Sequence, residues 1–333
     1  MPTLFLLPQS KTNASLPEKC VSSRNQLSRL KVISAVNLMR CATAEQLIRY
    51  LRYSPNTLAD LQTLLKTLAG EQMVEIEIPN KQTNYGRAPN VYLIGRRGRA
   101  LLADRGEAVT KRYRKREDRL HKGDPINHSL AVGDLLIHAK HLERYIPDIW
   151  IEEYFHEWEL NANPYRVPVP YEDEEKIEKL APDSIFRLDD AGLNRLIQLE
   201  IYRTPIDEKR WKRKVRAYVH AWPIFKQQFD IRDLQIAVIN GRESDFPKLV
   251  TEKRDEAQDL FEARQQQRRH RNMLRWTEEE MEQLGYADHA DIFYFSTIRH
   301  NRVSFREFWF SPHWTIPLSG KQKSLIQGRE AQS

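Results

Sequence analysis

An aspartate follows a proline at Pro182-Asp183, and seventeen positions later Glu200 stands inside the apolar run "LIQLEIY". A turn centred on Ala191 and Gly192 would fold the two runs into a hairpin that pairs residues symmetrically about it, with Asp183 directly opposite Glu200. Directly opposed strand residues share a face with Cβ atoms about 4.5–5.5 Å apart, and like charges so placed repel. One resolution is a divalent cation such as Mg2+, held by one or two carboxylates together with water and substrate phosphate oxygens. The other is a register shift or a basic neighbour that leaves the pair structural.

A second constellation is Asp134, His138 and His141, at i, i+4 and i+7 on one face of a helix. Imidazole with carboxylate suits a transition metal. No fourth ligand with a recognisable spacing accompanies them, and helical histidines are more commonly surface or interface residues.

These residues need elements to position them. After a polar arm (1–24), "NQLSRLKVISAVNLMR" has helical apolar spacing. Thr43 and Gln46 form the capping-box pair of a second helix, and Ser54-Pro55 opens a third. On that third helix Leu58, Leu61, Leu65 and Leu68 share one face, while Asn56, Asp60, Thr63 and Thr67 fall opposite. Two strand-like runs, "MVEIEIP" and "NVYLIG", follow, joined by a segment holding Lys81 and Arg87. Three helices and a two-stranded hairpin give the order of a winged helix-turn-helix over 25–108, with the third helix in the major groove and the hairpin tip at phosphates. Asn56, Thr57, Asp60, Thr63 and Thr67 are then the candidate base-edge readers, and Lys81 and Arg87 the backbone contacts.

The formal net charge is +7. Residues 96–122 carry eleven Lys/Arg against four acids, so this one segment accounts for the whole excess. A concentrated basic stripe is the electrostatic footprint of a polyanion partner, here double-stranded DNA, with Arg112, Arg114, Lys115 and Arg116 at its centre. A solvated linker is the plainer alternative for 109–124. Two cysteines, Cys20 and Cys41, argue against a disulfide framework and a thiolate zinc site. No apolar stretch is long enough to span a bilayer and no secretory signal opens the chain, so a cytoplasmic protein without membrane partners is expected.

Beyond 125 the pattern reads helix ("INHSLAVGDLLIHAKHLERY"), strand ("IWIEEYFHEWEL"), the hairpin above, an amphipathic helix through Trp211, Val215, Tyr218 and Trp222, and a buried strand "LQIAVIN". That is α, β, β, β, α, β, a mixed sheet flanked by helices over 125–245. Residues 246–333 add a long charged helix from about Pro247 to Trp276 and late strands at "DIFYFSTI" and "REFWF".

An acid on a helix (Asp134), Pro182-Asp183 on the second strand, Glu200 near the end of the third and a basic helix after it resemble the PD-(D/E)XK nuclease-like core. More closely, the chain resembles the replication-relaxation family of plasmid and mobile-element proteins, which join a winged helix to such a core. The matching pieces, spread over about 25–245, are "NVYLIGRRGRALL", "NHSLAVGDLL", "APDSIFRL" and "LIQLEIYRT" followed by Lys214 and Tyr218. The resemblance implies an α+β and α/β multidomain protein. Where the nuclease pattern has Glu-x-Lys, this chain has Tyr202, and the replication-relaxation family more often has an acid there. A helix lysine, Lys214 with Lys209 and Lys212 as rivals, would have to stand in.

Three functions follow as expectations. The first is a DNA-binding protein of a mobile element, acting in replication, relaxation or transcription control, whose nuclease-like domain keeps its shape and has lost its chemistry. The second is a Mg2+-dependent endonuclease or nickase with Asp183 and Glu200 as metal ligands, Asp134 as a third acid and Lys214 as the lysine. The third is self-association into a homodimer through the long helix.

Overall fold

The computed structural model describes residues 28–77, 82–83, 86–87, 89–109, 124–145, 148–171, 174–202, 205–241, 256–297, 314–319 and 321–323. The chain divides into two compact units, the main break falling between Gly133 and Asp134.

In the first unit α1 (Arg29–Leu38) starts at Ser28, whose hydroxyl accepts from the Lys31 amide. Strand β1 (Cys41–Thr43) leads into α2 (Ala44–Leu51), where the Thr43–Gln46 capping box forms as the sequence indicates. A 3-10 turn at Pro55–Thr57, capped by Ser54, opens α3 (Leu58–Gly70). Leu61, Leu65 and Leu68 are fully buried on its inner face. Strands β2 (Val74–Glu77) and β5 (Val91–Ile94) follow, with two-residue strands β3 (Gln82–Thr83) and β4 (Gly86–Arg87) between them. The sheet has the antiparallel order β1-β5-β2. Strand β1 adds a third strand to the two-stranded hairpin expected here. Three residues show no period, and "CAT" becomes a strand only because β5 offers it a partner, Cys41 opposite Leu93.

Helix α4 (Arg96–Asp104) follows β5 directly. A Cβ at Gly98 would run into the Met73 carbonyl, so glycine is what lets α4 lie against the turn between α3 and β2.

Helix α5 (Asp124–Tyr145) runs across the break. The second unit then comprises β6 (Ile149–His156), α6 (Glu157–Ala162), β7 (Tyr165–Pro170), β8 (Glu175–Leu180), β9 (Ser184–Asp190), β10 (Leu193–Tyr202), α7 (Glu208–Phe229), β11 (Asp233–Asn240), α8 (Glu256–Gln283), β12 (Phe293–Ser296) and the short β13 (Trp314–Thr315) and β14 (Gln322–Lys323). Seven strands form one sheet in the order β14-β13-β12-β11-β10-β9-β6. Strands β6, β9 and β10 are antiparallel, whereas β10, β11 and β12 are parallel, with α7 as the crossover between the first two. The sheet is therefore mixed and β11 is internal to it.

Two details depart from the expected α, β, β, β, α, β order. The run "IWIEEYFHEWEL" stops being a strand at His156, because Glu159 reaches back to the His156 amide at 3.0 Å and starts α6. An extra ribbon, β7 with β8, stands as its own two-stranded sheet. Its prolines at 168 and 170 and its charged second strand hide the alternation from a reading by pattern. The "REFWF" run and the start of the long helix before 256 lie outside the described residues.

The core lies between the sheet and helices α7 and α8. Trp211, Val215, Tyr218 and Phe225 meet Leu196, Ile236, Val238, Phe293 and Phe295, with Met273 and Trp276 from α8. The Trp211 indole donates to the Thr277 hydroxyl at 2.9 Å, tying the two helices together. None of the described helices is long and apolar enough to cross a membrane.

His270 of α8 sits edge-on to Phe295, and burial pushes its pKa down to about 4. A depressed imidazole is neutral in the fold where the unfolded chain is already protonated, so its stabilisation is present above about pH 6.5 and lost as pH falls toward 4. Thermal melts should show the wild type losing on the order of 2–3 kcal/mol across that window relative to His270→Gln.

Candidate carboxylate and lysine site

Strands β9 and β10 pair in the anticipated register, Leu193 opposite Asp190 through Leu199 opposite Ser184. Asp183 lies one step beyond, its amide donating to the Leu199 carbonyl at 3.0 Å. Its carboxylate accepts from the Ile201 amide at 2.7 Å. Glu200 is 1% exposed, on the same sheet face as α7. The Lys214 amine donates to its Oε2 at 2.5 Å, the Tyr202 hydroxyl to the same oxygen at 3.3 Å, and the Tyr218 hydroxyl to its Oε1. Asp183, Glu200 and Lys214 are thus brought together, and a basic neighbour with a backbone amide is what lets two acids stand side by side.

Each donor has a local cause. Asp207 caps α7 by accepting from the Arg210 amide, which sets where the helix starts. Lys214 and Tyr218 are then one turn apart on one face, and both reach Glu200. Lys212, one of the rival lysines, is engaged elsewhere, with Glu208 at 2.7 Å and Glu279 at 2.6 Å. Lys209 is exposed. The Lys214 amine also lies 5.8 Å from the centre of the Tyr202 ring.

Burial is the largest influence on Glu200 and raises its proton affinity above the ordinary carboxylate value, against the lowering effect of Lys214 and reinforced by the Asp183 charge. Both tyrosine hydroxyls are pushed well above the ordinary phenol range, by burial first and the Glu200 charge second.

Tyr218 reads from its period as core, and its ring is core. Its hydroxyl is nevertheless a Glu200 donor, signalled in the sequence only by the four-residue step from Lys214. Glu157 falls in a run that reads as strand, so its pattern gives no sign of a site. It is buried, and one of its carboxylate oxygens lies within 4.8 Å of one of Asp183. Asp134 is buried on α5 at 4% exposure, and His138 and His141 are half-buried on the same helix.

In the first unit Asn56, Asp60, Thr63 and Thr67 are exposed and Thr57 is half-buried. The hydroxyls of Thr63 and Thr67 donate back to the Ala59 and Thr63 carbonyls. Lys81, Arg112, Arg114, Lys115 and Arg116 lie outside the described residues, as does the side chain of Arg87.

The sequence model described as Replication-relaxation matches residues 33–230, more than half of the 333-residue chain. The chain belongs to the replication-relaxation family. No curated protein matches it. Among solved structures, the crystal structure of protein VC1899 from Vibrio cholerae is similar at 12% identity and a TM-score of 0.20, covering 73% of this chain and 52% of that one. This member of the family thus spans about half the length of that protein. Family membership supports a mobile-element protein connected with replication.

The buried carboxylate yields a signed expectation. A raised carboxyl favours the protonated form in the fold, so the stability it contributes is fully present below the ordinary carboxylate value and is lost as pH rises through the raised one. In Glu200→Gln the amide stays neutral and Lys214, 25% exposed, can turn to water. Melting curves from about pH 4 to about pH 8 should show the wild type losing ground steadily to this variant.

Proposed function

We propose that this chain is a double-stranded DNA-binding protein of mobile-element replication or transcription control, with a winged helix-turn-helix in its first unit and a PD-(D/E)XK-like sheet in its second. One observation carries the first half. Helix α3 turns Leu61, Leu65 and Leu68 inward and leaves Asp60, Thr63 and Thr67 exposed, with Asn56 exposed in the 3-10 turn just before it, beside a three-stranded antiparallel sheet, an arrangement that suits a recognition helix. These short polar side chains suit base edges. Arg96 and Arg97, exposed at the start of α4, begin the basic segment that would supply affinity through phosphates.

Alanine at Asn56, Thr63 and Thr67 should compress the ratio of specific to non-specific binding by about 1–3 kcal/mol for each base edge that is no longer read. Neutralising Arg112, Arg114, Lys115 and Arg116 should instead flatten the salt dependence on every DNA sequence. Equal salt slopes for the wild type and the neutralised chain would remove the basic segment from the interface.

A second reading, a Mg2+-dependent endonuclease or nickase, is favoured by the Lys214 amine at 2.5 Å from Glu200 beside Asp183, the lysine and two acids that such chemistry requires. Both oxygens of Glu200 are engaged by protein donors, so a hard cation would draw first on Asp183 with Glu157. Bound there, Mg2+ would activate water and neutralise charge on the phosphate. The chain's part would be to hold Asp183 by the Ile201 amide and to keep a lysine proton at Glu200. With Glu200 clamped in this way, we put the nuclease reading second. The expected result with supercoiled plasmid and Mg2+ or Mn2+ is intact DNA. Nicked circles that vanish in Asp183→Ala and in Lys214→Ala would reverse the order of the two readings.

A further inference from the structure

Residues 263–277 of α8, "ARQQQRRHRNMLRWT", hold five arginines and no acid. Arg269 alone is buried, donating to the Asn240 side chain at 3.0 Å and to the Gly241 carbonyl at 2.5 Å. Arg264, Arg268, Arg271 and Arg275 are exposed. Their steps of four, three and four residues confine them to one strip of the helix, opposite the face formed by Gln266, Met273, Thr277 and Glu280, all buried. Arg275 is paired with Glu279 at 3.4 Å. Among the described residues Arg264, Arg268 and Arg271 have no ion pair, and they rise over about 10 Å of helix.

A strip of three uncompensated guanidinium groups is not needed to hold α8 in place, because the opposite face does that. Acids are common in α8 outside this stretch, at Glu256, Asp259 and Glu262 before it and Glu278, Glu279, Glu280 and Glu282 after it. The basic character is therefore segregated to the middle of the helix rather than spread along a solvated surface.

We infer that this outer strip of α8 is a nucleic-acid backbone contact in the second unit, separate from the winged element and the 96–122 segment. The side-chain chemistry favours phosphate. Guanidinium forks bind phosphate oxygens bidentately, and the interspersed Gln265 and Gln267, both exposed, can add neutral hydrogen bonds. Placement agrees. Gln266 and Arg269, on the inner side of the same turns, are bonded to the end of β11 at Asn240 and Gly241, and Asn240 is the register partner of Tyr202. The strip thus stands over the sheet end at which Asp183 and Glu200 meet. A strand held on it would pass that end whether or not the carboxylates cut. A second copy of the chain seated on this face would set like charges against each other, and a lipid surface would want a broad apolar face, of which α8 shows water only Leu260 and Phe261 ahead of the strip while the rest packs into the core. The inference rests on the reading that this chain binds DNA and adds a site to it.

The test uses the full chain and a duplex of about 30 base pairs of arbitrary sequence, with affinity followed across salt. Each neutralised phosphate adds about 0.9 to the slope of log affinity against log salt. The variant Arg264→Gln/Arg268→Gln/Arg271→Gln should lose about two to three from that slope and bind about 10-fold or more weakly near physiological salt. Its melting temperature should match the wild type, and the corresponding triple lysine variant should keep the slope. A wild-type slope in the glutamine variant overturns the inference while DNA binding by the first unit stands. A wild-type chain that retains no duplex at any salt overturns the DNA reading itself. Two further outcomes, each with DNA affinity unchanged in the glutamine variant, also overturn it: binding to phosphatidylserine vesicles that disappears in that variant reassigns the strip to lipid, and a concentration-dependent mass that disappears in it reassigns the strip to a second copy.

Discussion

A carboxylate with 1% of its surface exposed, inside a core of tryptophan, tyrosine and phenylalanine, can exist only if every oxygen is met by a donor. Glu200 is that carboxylate, and much of the second unit is arranged around satisfying it. Its donors come from its own strand, at Tyr202, and from one face of α7, at Lys214 and Tyr218. Those bonds set how α7 lies on β10, and α7 is the crossover that makes β11 parallel to β10. Asp183, the other acid, is steadied by a backbone amide of the same strand. The pair can therefore be read as a self-contained structural cluster or as a site whose lysine is already in reach, and the same bonds support both.

The two units treat polar surface differently. In the first, the leucine-backed α3 exposes short polar side chains at Asp60, Thr63 and Thr67, and the basic excess comes after it, from α4 onward. In the second, arginines are drawn to the outside of α8 while acids collect at its two ends. On the proposed DNA-binding reading, this separates affinity from selectivity.

Much of the local structure is legible before any tertiary contact is considered. The Thr43–Gln46 capping box, the Ser54-Pro55 entry to α3 and the β9–β10 register from Leu193–Asp190 to Leu199–Ser184 follow from short-range rules, and all three are present in the fold. What pattern does not show are elements that depend on a distant partner. Strand β1 exists because β5 pairs with it, and the β7–β8 ribbon is held by its own ladder in spite of its prolines. The turn of the chain from strand to helix at His156 rests on the Glu159 carboxylate accepting from the His156 amide, in a run that looks like a continuing strand.

Sequence by itself determined which residues could do chemistry: two acids on neighbouring strands, a basic helix after them, a helix with a polar outer face, and a long charged helix. It could not decide among three nearby lysines, because Lys209, Lys212 and Lys214 differ only in the direction each leaves the helix. Packing of Trp211, Val215 and Tyr218 into the core sets that direction, and Lys214 is the one it aims at Glu200. Nor could spacing say which arginines of α8 face water. Arg269 and Arg268 are neighbours in the chain, and only the burial of Gln266, Met273 and Thr277 against the sheet turns one inward to Asn240 and leaves the other to solvent.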